Sequence, residues 1–211
     1  MNCHLLIRAD VGPTVGTGHV MRTAALAMAF NQLGGEATIA CNSTLPERLK
    51  SRLEKQGISV VIFDSTDKID DAIQTRQLAE NLEADWIVAD GYGYDDEYQH
   101  ILKLSLAKLM VVDDFGHGSH RMADLVLNQN IYSDGSEYSS VRSEQVICGS
   151  RFVLLRSEFK NLTSRSSVPK LAKRILLTFG GADEHNFTAK CLQALGRSNS
   201  AQSFQVDVVL G

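Results

Sequence analysis

The chain has little that would tie it to a charged polymer or a bilayer. Its formal net charge is only -4 over 211 residues, with no cluster of Lys and Arg, so nucleic acid and anionic membrane surfaces are not expected as partners. Any phosphate it binds must be held locally. No run approaches the ~18 apolar residues of a membrane span, and Met1 to Asp10 lacks a basic segment followed by a long apolar one. A soluble, cytoplasmic protein is expected. Cysteine is sparse too: Cys3, Cys41, Cys148 and Cys191 lie far apart, with no CxxC and no Cys/His ligand spacing. That argues against a disulfide framework or a zinc site and reads as buried thiols in a reducing compartment. Repeats and low-complexity stretches are missing as well. What remains is ordinary globular composition, 44% hydrophobic and 22% charged, long enough for one full domain and part of another.

Short apolar runs alternate with longer amphipathic ones. The spacing predicts strands over Leu5–Ala9, Ala37–Ala40, Val60–Phe63, Trp86–Ala89, Leu109–Val112, Leu125–Leu127 and Gln145–Cys148. It predicts helices over His19–Leu33, Pro46–Gln56, Asp70–Leu82 and Asp95–Ala107, with Gly34 and Gly57 at helix ends and Pro46 in a first turn. Such alternation implies an α/β fold, a parallel sheet with helices on both faces, whose ligands bind beyond the carboxyl ends of the strands. Residues 1–156 therefore form one Rossmann-like domain. Residues 157–173, polar and rich in Ser, Lys and Arg, read as a linker. A second unit over 174–211 has strand Arg174–Phe179, turn Gly180-Gly181-Ala182-Asp183, helix Glu184–Leu195 and strand Phe204–Leu210. About 40 residues rarely bury enough surface to fold alone, so this unit is expected to lean on the first domain or to be the first part of a larger one.

The most informative stretch is Arg8-x-Asp10-x5-Gly16-Thr17-Gly18-His19-x-x-Arg22, where the first strand passes into the first helix. Gly16 and Gly18 let the backbone turn and approach a ligand closely, and a helix N-terminus offers N–H groups to an anion. The third glycine of a dinucleotide fingerprint is missing, and no Gly-Lys-Ser/Thr follows, so neither an NAD site nor an ATP P-loop is supported. The distinguishing residue is His19. A lone histidine there most often caps the helix or packs in the core. With Arg8, Asp10 and Arg22 around it, a base aimed at the crevice is the better reading.

The segment RADVGPTVGTGHVMR closely resembles the N-terminal signature of the UDP-2,4-diacetamido-2,4,6-trideoxy-β-L-altropyranose hydrolases of pseudaminic acid synthesis. The likeness continues in VADGYGYDDEY, VVDDFGHGSHRMADLVLNQN, CGSRFVLLRSEF and LLTFGGAD. The resemblance implies a GT-B fold of two Rossmann-like domains, a UDP-sugar substrate, and no metal or cofactor. It implies that His19 activates water to attack the anomeric carbon, with Tyr92, from the Asp90-x-Tyr92-Gly93 block, beside the sugar. Tyr92 could instead be an aromatic packed at the cleft rim. Of Asp113 and Asp114, one should face the site and the other the turn, with Asp114 counted as a substrate contact beside Asp10, Asp90 and Arg22. Asn128 and Asn130 would bond the acetamido groups or cap a turn. Gly180 and Gly181 would hold diphosphate oxygens at a second helix start.

UDP is a good leaving group, so one base suffices where ordinary glycosidases need two carboxylates. A glycosyltransferase passing the sugar to another acceptor and an inert binding fragment are the rival readings. His100, His117, His120 and His185 are expected at the surface; His117 and His120 lack a third metal ligand. Arg156 and Glu158 would be a structural ion pair or ligand contacts, and the structural pair is the better reading. The edge of strand Phe204–Leu210 is a candidate for self-association.

Overall fold

Seven short apolar runs of the sequence become seven parallel strands. The structure, a computed structural model, describes residues 3–12, 15–65, 67–116, 118–159, 167, 170–180, 183, 185–197 and 204–210. Its strands are β1 (His4–Ala9), β2 (Glu36–Asn42), β3 (Ser59–Phe63), β4 (Trp86–Asp90), β5 (Lys108–Val112), β6 (Leu125–Asn128) and β7 (Val146–Cys148). They form one sheet in the order β3-β2-β1-β4-β5-β6-β7. Helices α1 (Gly18–Gln32), α2 (Glu47–Lys55), α3 (Lys68–Asn81) and α4 (Asp96–Leu102) connect the first five strands.

β1 is buried without alternation because both faces of the sheet are covered. Leu5 and Ile7 join a core with Val20, Ala24, Ile39 and Leu53. Leu6, between them, points the other way and packs with Ala72, Ile87, Tyr98 and Leu102. The chain runs from β1 outward through β2 and β3, then returns to lay β4 on the other side of β1. At that reversal the loops after β1 and β4 diverge and open a crevice at the strands' carboxyl ends, the place where ligands bind in such sheets.

Several boundaries differ from the sequence expectation. Helix α3 begins two residues before Asp70, since Asp67 accepts hydrogen bonds from the N–H groups of Ile69 and Asp70 and so caps the helix. Helix α4 ends at Leu102 rather than Ala107. The Ser105 hydroxyl donates to the Leu102 carbonyl, and tight turns at Leu104 and Ser105 bring the chain back to β5. Leu104 and Leu106 are left exposed. Pro46 takes the N-cap of α2, while Gly34 and Gly57 adopt positive φ just past α1 and α2, closing both helices in the left-handed conformation glycine tolerates. All four cysteines are free, yet only Cys41 is buried and Cys3 is exposed, which corrects the reading of all four as core thiols. Burial pushes the Cys41 thiol up to about 12, leaving it unreactive.

After the Ser157–Phe159 turn, a separate two-stranded parallel sheet follows: β8 (Arg174–Thr178) and β9 (Gln205–Val209), joined through α5 (Phe187–Arg197). Helix α5 begins three residues later than the sequence suggested, because Asp183 accepts from the N–H groups of Phe187 and Thr188. Most of the stretch expected as a linker lies outside the described residues. At its start, Glu158 pairs directly with Arg52 on α2 at 2.7 Å, while the preceding Arg156 lies over the Phe159 ring and acts on Glu158 through its charge. Among the described residues no helix is long and apolar enough to cross a membrane.

Candidate functional site

β1 delivers Arg8 and Asp10 to the crevice floor. Arg8 is 2% exposed, and its guanidinium bonds both oxygens of Asp71 on α3 and both of Asp10. Tyr98 adds a hydroxyl bond to Asp71, and Thr75 meets the same hydroxyl. Burial works against the charge of Arg8, but its bonds to Asp71 and Asp10 outweigh it and fix it as a permanent cation. Arg8 thus holds the loop rather than facing the crevice. Asp10 also accepts from the Asn42 N–H, tying the end of β1 to the end of β2. Nothing in the sequence pattern singles out Asp71, an acidic residue on a helix with other acids nearby.

The loop after Asp10 closes on itself: Gly12 and Gly16 exchange backbone hydrogen bonds of 3.2 and 2.7 Å. Gly16 sits at φ 65, a conformation that favours glycine. Gly18 has ordinary φ and open space where a Cβ would sit, so no internal packing demands glycine there. Helix α1 starts at that point without a side-chain cap and without an acidic residue in its first turn. Among the described residues no side chain engages its opening N–H groups.

His19, one residue into α1, is 7% exposed. Its Nδ1 lies 2.7 Å from Asp90 Oδ1 at the end of β4 and 3.2 Å from Arg22 Nη2. A carboxylate can only accept, and its contact is the shorter of the two, so the proton is assigned to Nδ1; a bare Nδ1 would set lone pairs face to face at 2.7 Å. Nε2 has no hydrogen-bond partner among the described residues and is not among their fully buried polar atoms. Asp90 is completely buried and also accepts from Arg22 Nε and Nη2, both at 2.6 Å. Arg22 continues to Asp114 at 2.7 Å. Burial opposes the charge of Arg22, yet Asp90 and Asp114 prevail and raise its pKa. The result is one bonded chain, His19–Asp90–Arg22–Asp114, linking the start of α1 to the ends of β4 and β5.

Tyr92 stands over this chain. It is 65% exposed, with its ring edge-on to His19 at 4.9 Å and beside Phe115 at 5.8 Å. Partial burial and the charges of Asp114 and Asp90 raise its pKa against the pull of Arg22, so it remains a phenol able to donate. A cavity of about 400 Å³ is lined by His19, Arg22, Tyr92, Asp113, Asp114, Phe115 and His120. A smaller one of about 160 Å³ shares His19 and Tyr92 and adds Asp10 and Asp90.

Asp114 and Asn130 meet in this region: the Asn130 amide donates to the Asp114 carbonyl at 3.1 Å and its carboxylate at 3.3 Å. Asn128 is 0% exposed. Its amide donates to Tyr138 and Glu137, and its oxygen accepts from Asn130. Of its two expected roles, turn capping is the one its surroundings allow, since it has no open face for a ligand.

Asp113 behaves unlike its neighbour. It accepts from the Phe115 N–H and pairs with His120 at 2.8 Å. Burial would raise its carboxyl, but the bonds from His120 and from the Phe115 and Gly116 N–H groups hold it at about 2. His120 is 6% exposed, which corrects its expected surface position; a Gly/Ser loop reads as solvent until the fold tucks it against α4. His117 lies outside the described residues. His100 and His185 are exposed.

In the second sheet Gly180 follows β8 with φ 75; Gly181 lies outside the described residues. The first N–H groups of α5 are already taken by Asp183, so a carboxylate stands where a diphosphate was expected to meet open donors. Among the described residues no three His, Cys, Asp or Glu side chains converge to hold a metal ion.

No protein-family model matches the chain. It is 27% identical over 214 residues to the uncharacterized protein MJ1062 of Methanocaldococcus jannaschii, covering 98% of this chain and 42% of that protein. It is 25% identical over 198 residues to the UDP-2,4-diacetamido-2,4,6-trideoxy-β-L-altropyranose hydrolase of Campylobacter jejuni, covering 92% of this chain and 66% of that one. The chain thus spans less than two thirds of either relative. Among solved structures it is similar to a glycosyltransferase from Rickettsia africae, with TM-score 0.64 and 12% identity over 100% of this chain and 68% of that one. It is also similar to MurG of Acinetobacter baumannii, with TM-score 0.61 and 11% identity over 98% of this chain and 68% of that one. The architecture is therefore α/β and GT-B-like, with the His19–Asp90 pair at the sheet's switch point.

Proposed function

We propose that the protein carrying this chain processes a nucleotide sugar by hydrolysis at the anomeric carbon. The observation that carries the reading is the His19–Asp90 pair, with Nδ1 bonded at 2.7 Å and Nε2 without a hydrogen-bond partner among the described residues. Asp90 fixes the tautomer whose Nε2 lone pair can take a proton, and its charge stabilises the imidazolium that results. Water loses a proton to Nε2 as its oxygen bonds the anomeric carbon. The bond from that carbon to the phosphate oxygen breaks, and the nucleoside diphosphate departs with the electron pair.

Tyr92, held as a phenol, is placed to donate to the water or the sugar. The uncapped start of α1 and the open space beside Gly18 suit the growing negative charge on the leaving group. The resemblance of five sequence blocks, together with the distant Campylobacter relative, favours UDP as the leaving group and a diacetamido-trideoxy sugar as the group transferred to water. In this reading residues 1–156 carry the chemistry, 157–173 are a linker, and 174–211 begin a nucleotide-binding domain.

Incubation of the protein with the UDP-sugar in ¹⁸O-water tests the proposal. Free sugar carrying the label, with unlabelled UDP, is the expected outcome. Label in the UDP phosphate would place the cleavage on phosphorus and rule out His19 as the base for attack on carbon. Release only when an acceptor alcohol is added would make the protein a glycosyltransferase, the reading that the likeness to the Rickettsia enzyme and MurG favours.

A further inference from the structure

His120 does not touch the His19 chain of charges, yet it is buried against the same cavity and joins the two loops that wall it. On one side it bonds Asp113 at 2.8 Å through Nε2. On the other its Nδ1 lies 3.0 Å from the side-chain nitrogen of Gln99 on α4, and that nitrogen also donates to the Tyr94 carbonyl at 2.8 Å. Tyr94 belongs to the loop that carries Tyr92. The Gln99 side-chain oxygen is buried with no partner, and Gln99 is 0% exposed. A buried amide oxygen is rarely left orphaned unless some other contact fixes the amide's direction. Here the Tyr94 carbonyl does so, because it can accept but not donate.

The position of the ring is itself built in. A Cβ on Gly118 would lie 2.3 Å from the His120 ring, although Gly118 has ordinary φ, so glycine is needed there only to leave the imidazole room. A Cβ on Gly91 would likewise press within 2.9 Å of the Tyr94 ring. His120 itself adopts φ 45, a left-handed backbone uncommon outside glycine and held by its surroundings.

We propose that His120 and Gln99 are positioning residues that latch the Tyr92 loop to the Asp113 loop, and that the latch holds only while His120 carries a single proton on Nε2. With Gln99 donating to Nδ1, that nitrogen must be bare. A second proton at Nδ1 would face the Gln99 N–H. Turning the amide over brings the orphan oxygen to Nδ1–H but sets it against the Tyr94 carbonyl, which releases the loop. The titratable groups facing His120 are Asp113 after β5, Tyr138, whose ring centroid is 6.1 Å away, and Asp96 on α4, which reaches the neighbouring Ser119. The latch rests on the proposed hydrolysis only in its effect on turnover, and its test needs no substrate.

Nitrogen-15 spectra of the ligand-free protein, assigned with His120→Asn, should show the Nε2–H tautomer at neutral pH. On acidification, the Gln99 side-chain amide and the backbone amides of residues 91–95 should move with the same midpoint as the His120 ring. An Nδ1–H tautomer, a cationic ring at neutral pH, or loop amides that ignore the titration would overturn the proposal. Gln99→Ala keeps the His120–Asp113 bond but unties Tyr94. It should speed hydrogen exchange in residues 91–95 at least tenfold while leaving β1 and β2 unchanged, and an unaltered loop would count equally against the latch. If Gln99→Ala does not fold, the wild-type spectra decide alone. Loss of all turnover on UDP-sugars with these spectral results intact would sink the hydrolase reading and leave the latch standing.

Discussion

β1 and β8 are similar as sequence, HLLIRA against RILLT, and differ in fate. Leu6 and Ile7 are 0% exposed, whereas Leu176 is 63% exposed. β1 lies inside seven strands with helices on both faces. Among the described residues β8 pairs only with β9, and it packs against α5. Burying a leucine fully is worth about 1.5–3 kcal/mol, and Leu176 contributes little of that. Apolar β-formers are enough to specify a strand, while coverage decides what the strand contributes, and two strands alone are marginal in water. The helix starts repeat the contrast: α1 opens uncapped beside His19, and α5 is closed by its own Asp183. So do the ion pairs, with Asp90 sealed under Arg22 and Asp207 open to solvent beside Arg174.

The sharpest way to break this contrast is to remove the chemistry assigned to the large sheet. His19→Ala should lower turnover at least ~100-fold, the minimum a positioned base supplies, with circular dichroism unchanged. Near-normal turnover would take His19 out of the mechanism. Next in size is Asp90→Asn, which leaves Arg22 facing a neutral amide in a buried site. Breaking such a pair costs about 3–5 kcal/mol, to be read by urea denaturation, and a loss under about 1 kcal/mol, the range of an exposed pair, would show that the charge chain is less buried than it looks.

A smaller effect belongs to Asp113, whose carboxyl is held at about 2, below the ~3.9 of an unfolded aspartate. The stability it lends is complete above about pH 4 and is lost as pH falls through about 2. Asp113→Asn should therefore flatten the acid side of a stability–pH curve below about pH 4. Smallest of all, Arg174→Ala should leave the melting temperature unchanged, since its exposed pair with Asp207 is screened by solvent. A clear drop would mean that the two-stranded sheet is more firmly held than its exposure implies. Calorimetry with UDP bears on the same sheet. Binding weaker than low-micromolar is expected of this chain, and low-micromolar affinity would move the nucleotide site to the large sheet. Sedimentation velocity would show whether the exposed Val209 and Leu210 draw copies together.

Much of the fold was legible because the physics is local. Short, mostly apolar runs such as Leu5–Ala9 and Trp86–Ala89 announced strands of a parallel sheet, and glycines 34 and 57 marked helix ends by their tolerance of positive φ. His19, Asp90, Arg22 and Asp114 were legible as candidates from their places at strand ends and a helix start. Their bonding order was not, because it depends on which loops meet across 68 to 92 residues of chain. Asn128 could be read two ways, and only its burial beside Tyr138 and Glu137 separated them.

By itself the sequence determined that this chain makes a parallel sheet with a glycine-rich turn and a histidine where its first strand meets its first helix. Periodicity, propensity and turn chemistry act over a few residues and survive without a partner. Tertiary structure alone decided that Asp90 sets the tautomer of His19, that Asp71 holds Arg8 beneath the loop, and that His120 is enclosed between Gln99 and Asp113. Each of those is a contact between groups far apart in the chain. Its strength comes from burial, which no stretch of sequence carries until the sheet has closed around it.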